Sequence, residues 1–390
     1  VAEGDGPRQG LFPPPPIYVY GIVTTTPGPP AQLLVNTNSG SIYAIADIGN
    51  AFAWYSEDPF IRLDNSGLIV AQATVGTGDL ADQTGFATTI QFSNGGQLYN
   101  SATGSILAEG TQARAFWSYR GGYSGLPGGI IDNAGLIEAS SLPGGYPSVG
   151  LFLGHLAVET MVVTNSGTIG ADHAIYAPSN RIELFSSIDH NGIEQITNTS
   201  SGLIDGDILL FNGNDILVNR GRIEGLIDAG KGNDSIDSAG GQIDGIVRLD
   251  DGDDSFIGST LSDRVAGGNH ADVIEGREGA DLLLGGFGDD TLTGGVGSDG
   301  LYGEFGNDVI VTLARDHADG GEGKDRIETG DLAFAFITGG AGVDTWQLAA
   351  RDRLYDLSLI LTSGRVADFE AIRLGADNCP SSGHLAQIAT

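Results

Sequence analysis

The sequence is nearly without sulfur, with one cysteine, Cys379, and one methionine, Met161, in 390 residues. A single cysteine excludes a disulfide framework within the chain. Cationic side chains are almost as scarce. Lys and Arg total 18 against 50 Asp and Glu, a net charge of −32. Such a chain repels nucleic acid and anionic membrane surfaces, so neither is expected as a partner. No apolar run approaches the roughly 20 residues of a membrane span. The start at Val1 instead of Met suits an exported chain that has lost a leader. What abounds is glycine, at 63 residues. The acid is concentrated: 25 of the 50 acidic residues, but only 7 of the 18 basic ones, lie between Asp228 and Trp346. A segment so charged is either disordered or neutralised by cations.

The same segment repeats in nines. The units run from Gly258, Gly267, Gly276, Gly285, Gly294 and Gly303, with earlier units from Ala229 and Leu249. After an eight-residue slip come units from Gly320 and Gly339. Asp holds the sixth place of each. Glycines at places one, two and four allow positive φ and close backbone approach, which makes the first six residues a turn. The last three form a short strand whose middle residue, such as Ile274, Leu283, Leu292, Leu301 or Ile310, points into a thin core. Two units make one coil, so every second sixth-place Asp stacks on the same edge at about 4.8 Å, one strand spacing. Stacked carboxylates repel unless a cation lies between them. Calcium, which takes six to eight hard oxygens, suits carboxylates mixed with turn carbonyls. Asp316 and Asp331 lie outside the sixth-place register, and their loss is expected to matter less than that of Asp281 or Asp290.

This G-G-x-G-x-D-x-U-x pattern resembles the RTX (hemolysin-type) calcium-binding family. The resemblance covers residues 229–346 and implies several bound Ca2+ ions. It places Asp263, Asp281 and Asp299 in one row and Asp254, Asp272, Asp290 and Asp308 in the opposite row, with Asp234, Asp325 and Asp344 as outliers. The unit from Gly258 lacks glycine at places two and four, and His270 replaces a fourth-place glycine, which weakens the sites around Asp263.

The first half carries a looser motif, Asn-x-Gly-x-Ile, at Asn38, Asn65, Asn133, Asn165 and Asn219. Asn and Gly accept left-handed turn conformations, after which the Ile starts an inward-facing strand. Glycine spacing shortens from about 27–35 residues to 19 and 20 as the nonapeptides approach. The motif resembles right-handed parallel β-helices of bacterial surface and autotransporter-passenger proteins. The expected fold is all-β: a parallel β-solenoid in which a right-handed β-helix (residues 35–228) narrows into a calcium β-roll (229–346). A sandwich with Asn-Gly hairpins is the alternative. Residues 1–34 form a Pro-rich arm whose strand, Ile17, Tyr18, Val19, Tyr20, Ile22 and Val23, is a candidate for β-augmentation of a neighbouring copy. Residues 347–390 form a capping segment.

Signs of catalysis are few. No His-Glu-x-x-His or Gly-x-Ser-x-Gly is present. Asp172-His173 and Asp189-His190, with Tyr176 or Arg181, are the one constellation fit for acid–base chemistry on a sugar acid. Trp54, Tyr55, Phe60, Phe116, Trp117, Tyr119 and Tyr123 suit a sugar platform, a subunit contact or a loop core. The leading expectation is a non-enzymatic, calcium-stabilised structural protein, extracellular or on a bacterial surface. It would assemble with copies of itself into a filament or surface layer, or act as an adhesin with a cell-surface polysaccharide as partner. The rival is a polysaccharide lyase, epimerase or glycan-binding protein. A calcium-dependent toxin fragment is a third reading.

Overall fold

The computed structural model describes residues 18–24, 34–46, 50–56, 61–73, 86–92, 96–119, 129–143, 145–154, 160–177, 192–330, 332–348, 357–374 and 385–387. The first half winds into coils of three strands. One coil comprises Leu136–Ser141, Val149–Gly154 and Thr160–Asn165. Each strand pairs in parallel with its counterpart one coil earlier: Ile137 opposite Ile106, Leu151 opposite Phe116, Val162 opposite Ile130. Side chains alternate between core and solvent. The inward column of the first face is Ile69, Ile106, Ile137, Ile169, Ile204 and Ile223, all fully buried. Each such side chain contributes roughly 1.5–3 kcal/mol by leaving water. The sole antiparallel pairing among the described residues joins Ala371–Arg373 to Leu385–Gln387 at the C-terminal end. Parallel stacking rules out the sandwich, which would need hairpins.

The first face ends at Gln242–Ile243. The second face continues from Val247–Asp251 through Arg264–Asn269, Leu282–Phe287 and Gly300–Phe305. The third continues from Ser255–Ile257 through Val273–Gly279 and Thr291–Gly297. A two-strand roll therefore grows out of the three-strand helix without a linker, and the narrowing lies beyond residue 229, where the nonapeptide count placed it. Ile274, Leu283, Leu292, Leu301 and Ile310 fill the roll's core as expected.

Two expectations change. The strand Tyr18–Thr24 is not a detached arm. It pairs in parallel with Asn50–Ser56 of its own chain, Tyr18 opposite Asn50 and Val23 opposite Tyr55, and is the first strand of the second face. Tyr18, Val19, Tyr20, Ile22 and Val23 thus belong to the solenoid, because in-register parallel pairing satisfies their backbone. Ile17 lies outside the described residues.

The Asn-x-Gly motif also has a different cause. Its asparagines do not take positive φ, nor do Gly67, Gly135, Gly167 and Gly221. The asparagines form a buried column instead. The Nδ2 of Asn38 donates to Oδ1 of Asn65 at 2.8 Å, and the chain of donations continues through Asn100, Asn133, Asn165 and Asn198 to Asn219 at 2.8–3.0 Å. It ends on Ser238 Oγ at 3.1 Å. Asn100 and Asn198 precede their glycine by four residues instead of two, so the motif alone did not reveal them. Glycine is required because a Cβ at Gly135 or Gly167 would lie under 3.0 Å from the backbone of the coil before. At the other end, the helix Leu357–Leu361 and the strands Val366–Ala367 and Ala371–Leu374 cover the last coil, with Phe369 and Ile372 buried beside Trp346.

Replacing Asn133 with Ala leaves the Asn165 Oδ1 and the Gly135 N–H without their partner and costs the Asn100 amide one of its three acceptors. Each buried unpaired group costs about 1–3 kcal/mol. We expect urea denaturation to show a loss of at least about 2 kcal/mol by the same rule. An unchanged midpoint would refute the column's role.

Candidate metal centre

The sixth-place carboxylates form two hydrogen-bonded ladders. Along the first, the backbone N–H of each Asp donates to Oδ1 of the Asp one coil further on. Asp234 donates to Asp254 at 2.6 Å, Asp254 to Asp272 at 2.9 Å, and Asp272 to Asp290, Asp290 to Asp308, Asp308 to Asp325 and Asp325 to Asp344 at 2.8 Å. The second runs from Asp263 to Asp281 at 2.8 Å, Asp281 to Asp299 at 2.9 Å and Asp299 to Asp316 at 3.1 Å. The Asp residues named for each row line up coil upon coil, and Asp234, Asp325 and Asp344 are continuous members of the first ladder. The structure extends that row to residues the repeat count missed. Glu194 and Asp215 precede Asp234, with Glu194 N–H donating to Asp215 at 2.8 Å and Asp215 to Asp234 at 2.7 Å. Asp344 N–H donates to Oε2 of Glu370 in the terminal coil at 2.6 Å. The string Gly213-Asn214-Asp215, echoing Gly232-Asn233-Asp234, was the available signal.

Asp316 corrects the expectation that it lies outside the register. It is fully buried, and Leu313 N–H donates to its Oδ2 at 2.6 Å. The eight-residue unit is one residue short, so counting displaced Asp316 while the fold keeps it in the row. Asp331 lies outside the described residues.

Each carboxylate has one oxygen tied to backbone. The other oxygen, Oδ2 of Asp234, Asp254, Asp272, Asp281, Asp290, Asp299, Asp308, Asp325 and Asp344, is buried with no hydrogen-bond donor. Burial pushes the Asp272 carboxyl up to about 8, Asp281 and Asp308 to about 7, and Asp290 to about 6. Neighbouring carboxylates add to this at Asp272, Asp281 and Asp308. Ionised, these oxygens require a cation. Among the described residues no group of three or more His, Cys, Asp or Glu converges. A cation between two rungs would take carbonyl oxygens besides carboxylate, a hard oxygen set that suits calcium.

Such carbonyls are in place. A Cβ added to Gly267 would lie well under 3.0 Å from both Asp272 Oδ2 and the carbonyl oxygen of Gly285. The same cradle of first-place glycine, orphaned Oδ2 and next-coil carbonyl recurs at Gly276 with Asp281, Gly285 with Asp290, Gly303 with Asp308 and Gly320 with Asp325. Glycine at place one thus keeps space open, while glycines at places two and four, such as Gly286 and Gly288, carry the positive φ of the turn. Arg277 and Glu304 at place two and His270 at place four take the same left-handed conformation without being glycine. Asp263 differs, since Ser259 donates to its Oδ2 through N–H at 2.8 Å and Oγ at 3.3 Å.

The acid–base constellation does not assemble among the described residues. His173 Nδ1 lies 3.6 Å from Asp207 Oδ2, and its ring stacks on Tyr176. Asp172 turns away and accepts Ser148 N–H and Oγ at 2.8 Å, which hold it below the usual carboxylate range. His190 and Arg181 lie outside the described residues. Trp54 and Phe116 are buried in the core, and Trp117 packs on Phe152 under Arg114. Phe60 and Tyr123 also lie outside the described residues.

The raised carboxyls imply a pH dependence for the metal-free chain. Their folded-state values exceed the ordinary 3.8, so the folded state binds more protons than the unfolded one. The resulting destabilisation is full above about pH 8 and is relieved as pH falls. In chelator, the melting temperature should rise between pH 8 and pH 5. In excess calcium, which needs the ionised form, it should fall over the same range. Parallel trends in the two conditions would contradict this assignment of the orphaned oxygens. Asp316→Ala should destabilise the calcium-loaded chain as much as Asp281→Ala, measured by thermal melting.

Comparison with known proteins agrees with this geometry. The family model described as RTX calcium-binding nonapeptide repeat (4 copies) matches residues 250–283 and 275–310. No curated protein matches the sequence. Among solved structures, a hyperactive, Ca2+-dependent, β-helical antifreeze protein from an Antarctic bacterium is similar over 91% of this chain and 98% of its own, with 17% identity and a TM-score of 0.44. That likeness is too loose to bear on fold or function. Residues 250–310 are calcium-binding nonapeptide repeats of the RTX type, set within a longer parallel β-solenoid.

Proposed function

We propose that the protein is a non-enzymatic structural rod that works outside the cell, where calcium completes one half of it. The observation that carries this reading is the series of open cradles. Asp272, Asp290, Asp308, Asp325 and Asp344 on one edge, with Asp281 and Asp299 on the other, each offer a buried oxygen without a donor. Asp263 and Asp316 belong to the second row with part of that capacity already used by Ser259 and Leu313. Calcium would neutralise these oxygens and join successive coils. A site contributes about 2.7 kcal/mol of folding free energy when free calcium is a hundredfold above its Kd. The calcium-poor cytoplasm withholds that contribution, which favours export before the roll folds.

Self-assembly or adhesion is the finer part of the proposal. The rod carries exposed apolar side chains on its outside, among them Val273, Phe287, Val296, Phe305 and Val343, and the rings of Phe287 and Phe305 stack at 4.6 Å. The exposed Phe287–Phe305 pair suits contact with another copy or with a surface. Electron microscopy of the purified chain with calcium should show filaments, sheets or bundled rods that disappear in chelator. Monodisperse single rods in both conditions would refute assembly. The lyase reading keeps one supporting observation, the approach of His173 to Asp207 beside Tyr176. Turnover of a uronic-acid polymer that is lost in His173→Ala would reverse the ranking.

A further inference from the structure

The carboxyl ladder is longer than the row of cradles. Backbone pairing aligns Asp250 with Gly268, which sets Leu249 at the position of Gly267. The bridge between Lys231 and Asp251 likewise sets Ala229 level with Leu249. Along this column the residue at place one is therefore Ala229, then Leu249, then Gly267, Gly285, Gly303, Gly320 and Gly339. In the roll, a Cβ at place one would fall under 3.0 Å from Oδ2 of the same unit's Asp and from the next coil's carbonyl. Ala229 and Leu249 carry that Cβ, and both are fully buried in the core. Their side chains start at the position where the glycines leave space open beside Asp272 and its successors.

We propose that Ala229 and Leu249 end the calcium array, so that Asp234 and Asp254 are metal-free rungs and the first ion of this row lies at Asp272. Repeat counting finds Asp at the sixth place of these units as of the others, and the hydrogen-bond ladder passes through them unchanged. The difference lies in the partner at place one. An ion that needs six to eight oxygens cannot share its site with a leucine side chain. Both residues lie in coils that still carry the first face, which ends at Gln242–Ile243. This inference rests on the calcium reading above.

The test counts bound calcium per chain by equilibrium dialysis of the full-length protein with elemental analysis. Asparagine keeps the Oδ1 that accepts the backbone N–H, so Asp→Asn variants preserve the ladder. Asp290→Asn should lose one ion. Asp234→Asn and Asp254→Asn should keep the wild-type count. Leu249→Gly should gain one ion, and Ala229→Gly, which removes a single methyl, provides a milder version of the same test. Loss of an ion in Asp254→Asn or Asp234→Asn would overturn the inference while leaving the calcium reading intact. No loss in Asp290→Asn would overturn the calcium reading itself, and this inference with it.

Discussion

The structure depends on one repeated interaction: a buried polar side chain in each coil hydrogen-bonds to the coil beside it. This interaction adds a second ruler to the parallel backbone pairing in a solenoid with coils of uneven length. Its loops vary, and its apolar columns of Ile and Leu would tolerate sliding by a fraction of a strand. The column from Asn38 to Asn219 does not, because each amide must both donate and accept with matched partners. In the roll the same task passes to Asp, whose Oδ1 accepts a backbone N–H one coil away. The two systems overlap between Asn198 and Ser238, where coils carry an amide rung on one corner and a carboxyl rung on another.

The change of chemistry has a consequence for when each half can fold. An amide column is neutral and complete by itself. A carboxyl column leaves one oxygen per rung without a donor, and ionisation of all of them together is unfavourable without counterions. The amide column therefore calls for no cation, while the carboxyl ladder of the roll calls for calcium or protons. Because the strands are continuous across the narrowing, the helix presents a formed edge on which the first roll coil can pair.

Much of the fold was legible in the sequence. Asp at every ninth residue and a buried aliphatic two places later revealed the roll, its two edges and its ligand chemistry. Three features escaped for identifiable reasons. Asp316 was displaced by a unit one residue short, since a count is rigid where a backbone turn can absorb a deletion. Asn100 and Asn198 were hidden because two extra residues separate each from its glycine, although the fold aligns their amides with the rest. The strand Tyr18–Thr24 looked detachable because prolines flank it, but its pairing with Asn50–Ser56 depends on a partner more than thirty residues away that no local pattern reveals. The role of place-one glycine was half legible: composition showed that small residues were needed, and only the packing showed which oxygen they stand beside.

One rod thus holds two ladders, an amide ladder complete without metal and a carboxyl ladder that calcium would complete. Hydrogen–deuterium exchange of the full chain with calcium and with chelator separates the two. Amides between 264 and 348 should lose protection on chelation while those of the amide-column coils, between 61 and 219, keep theirs. Equal loss along the whole solenoid, or no loss anywhere, would contradict this.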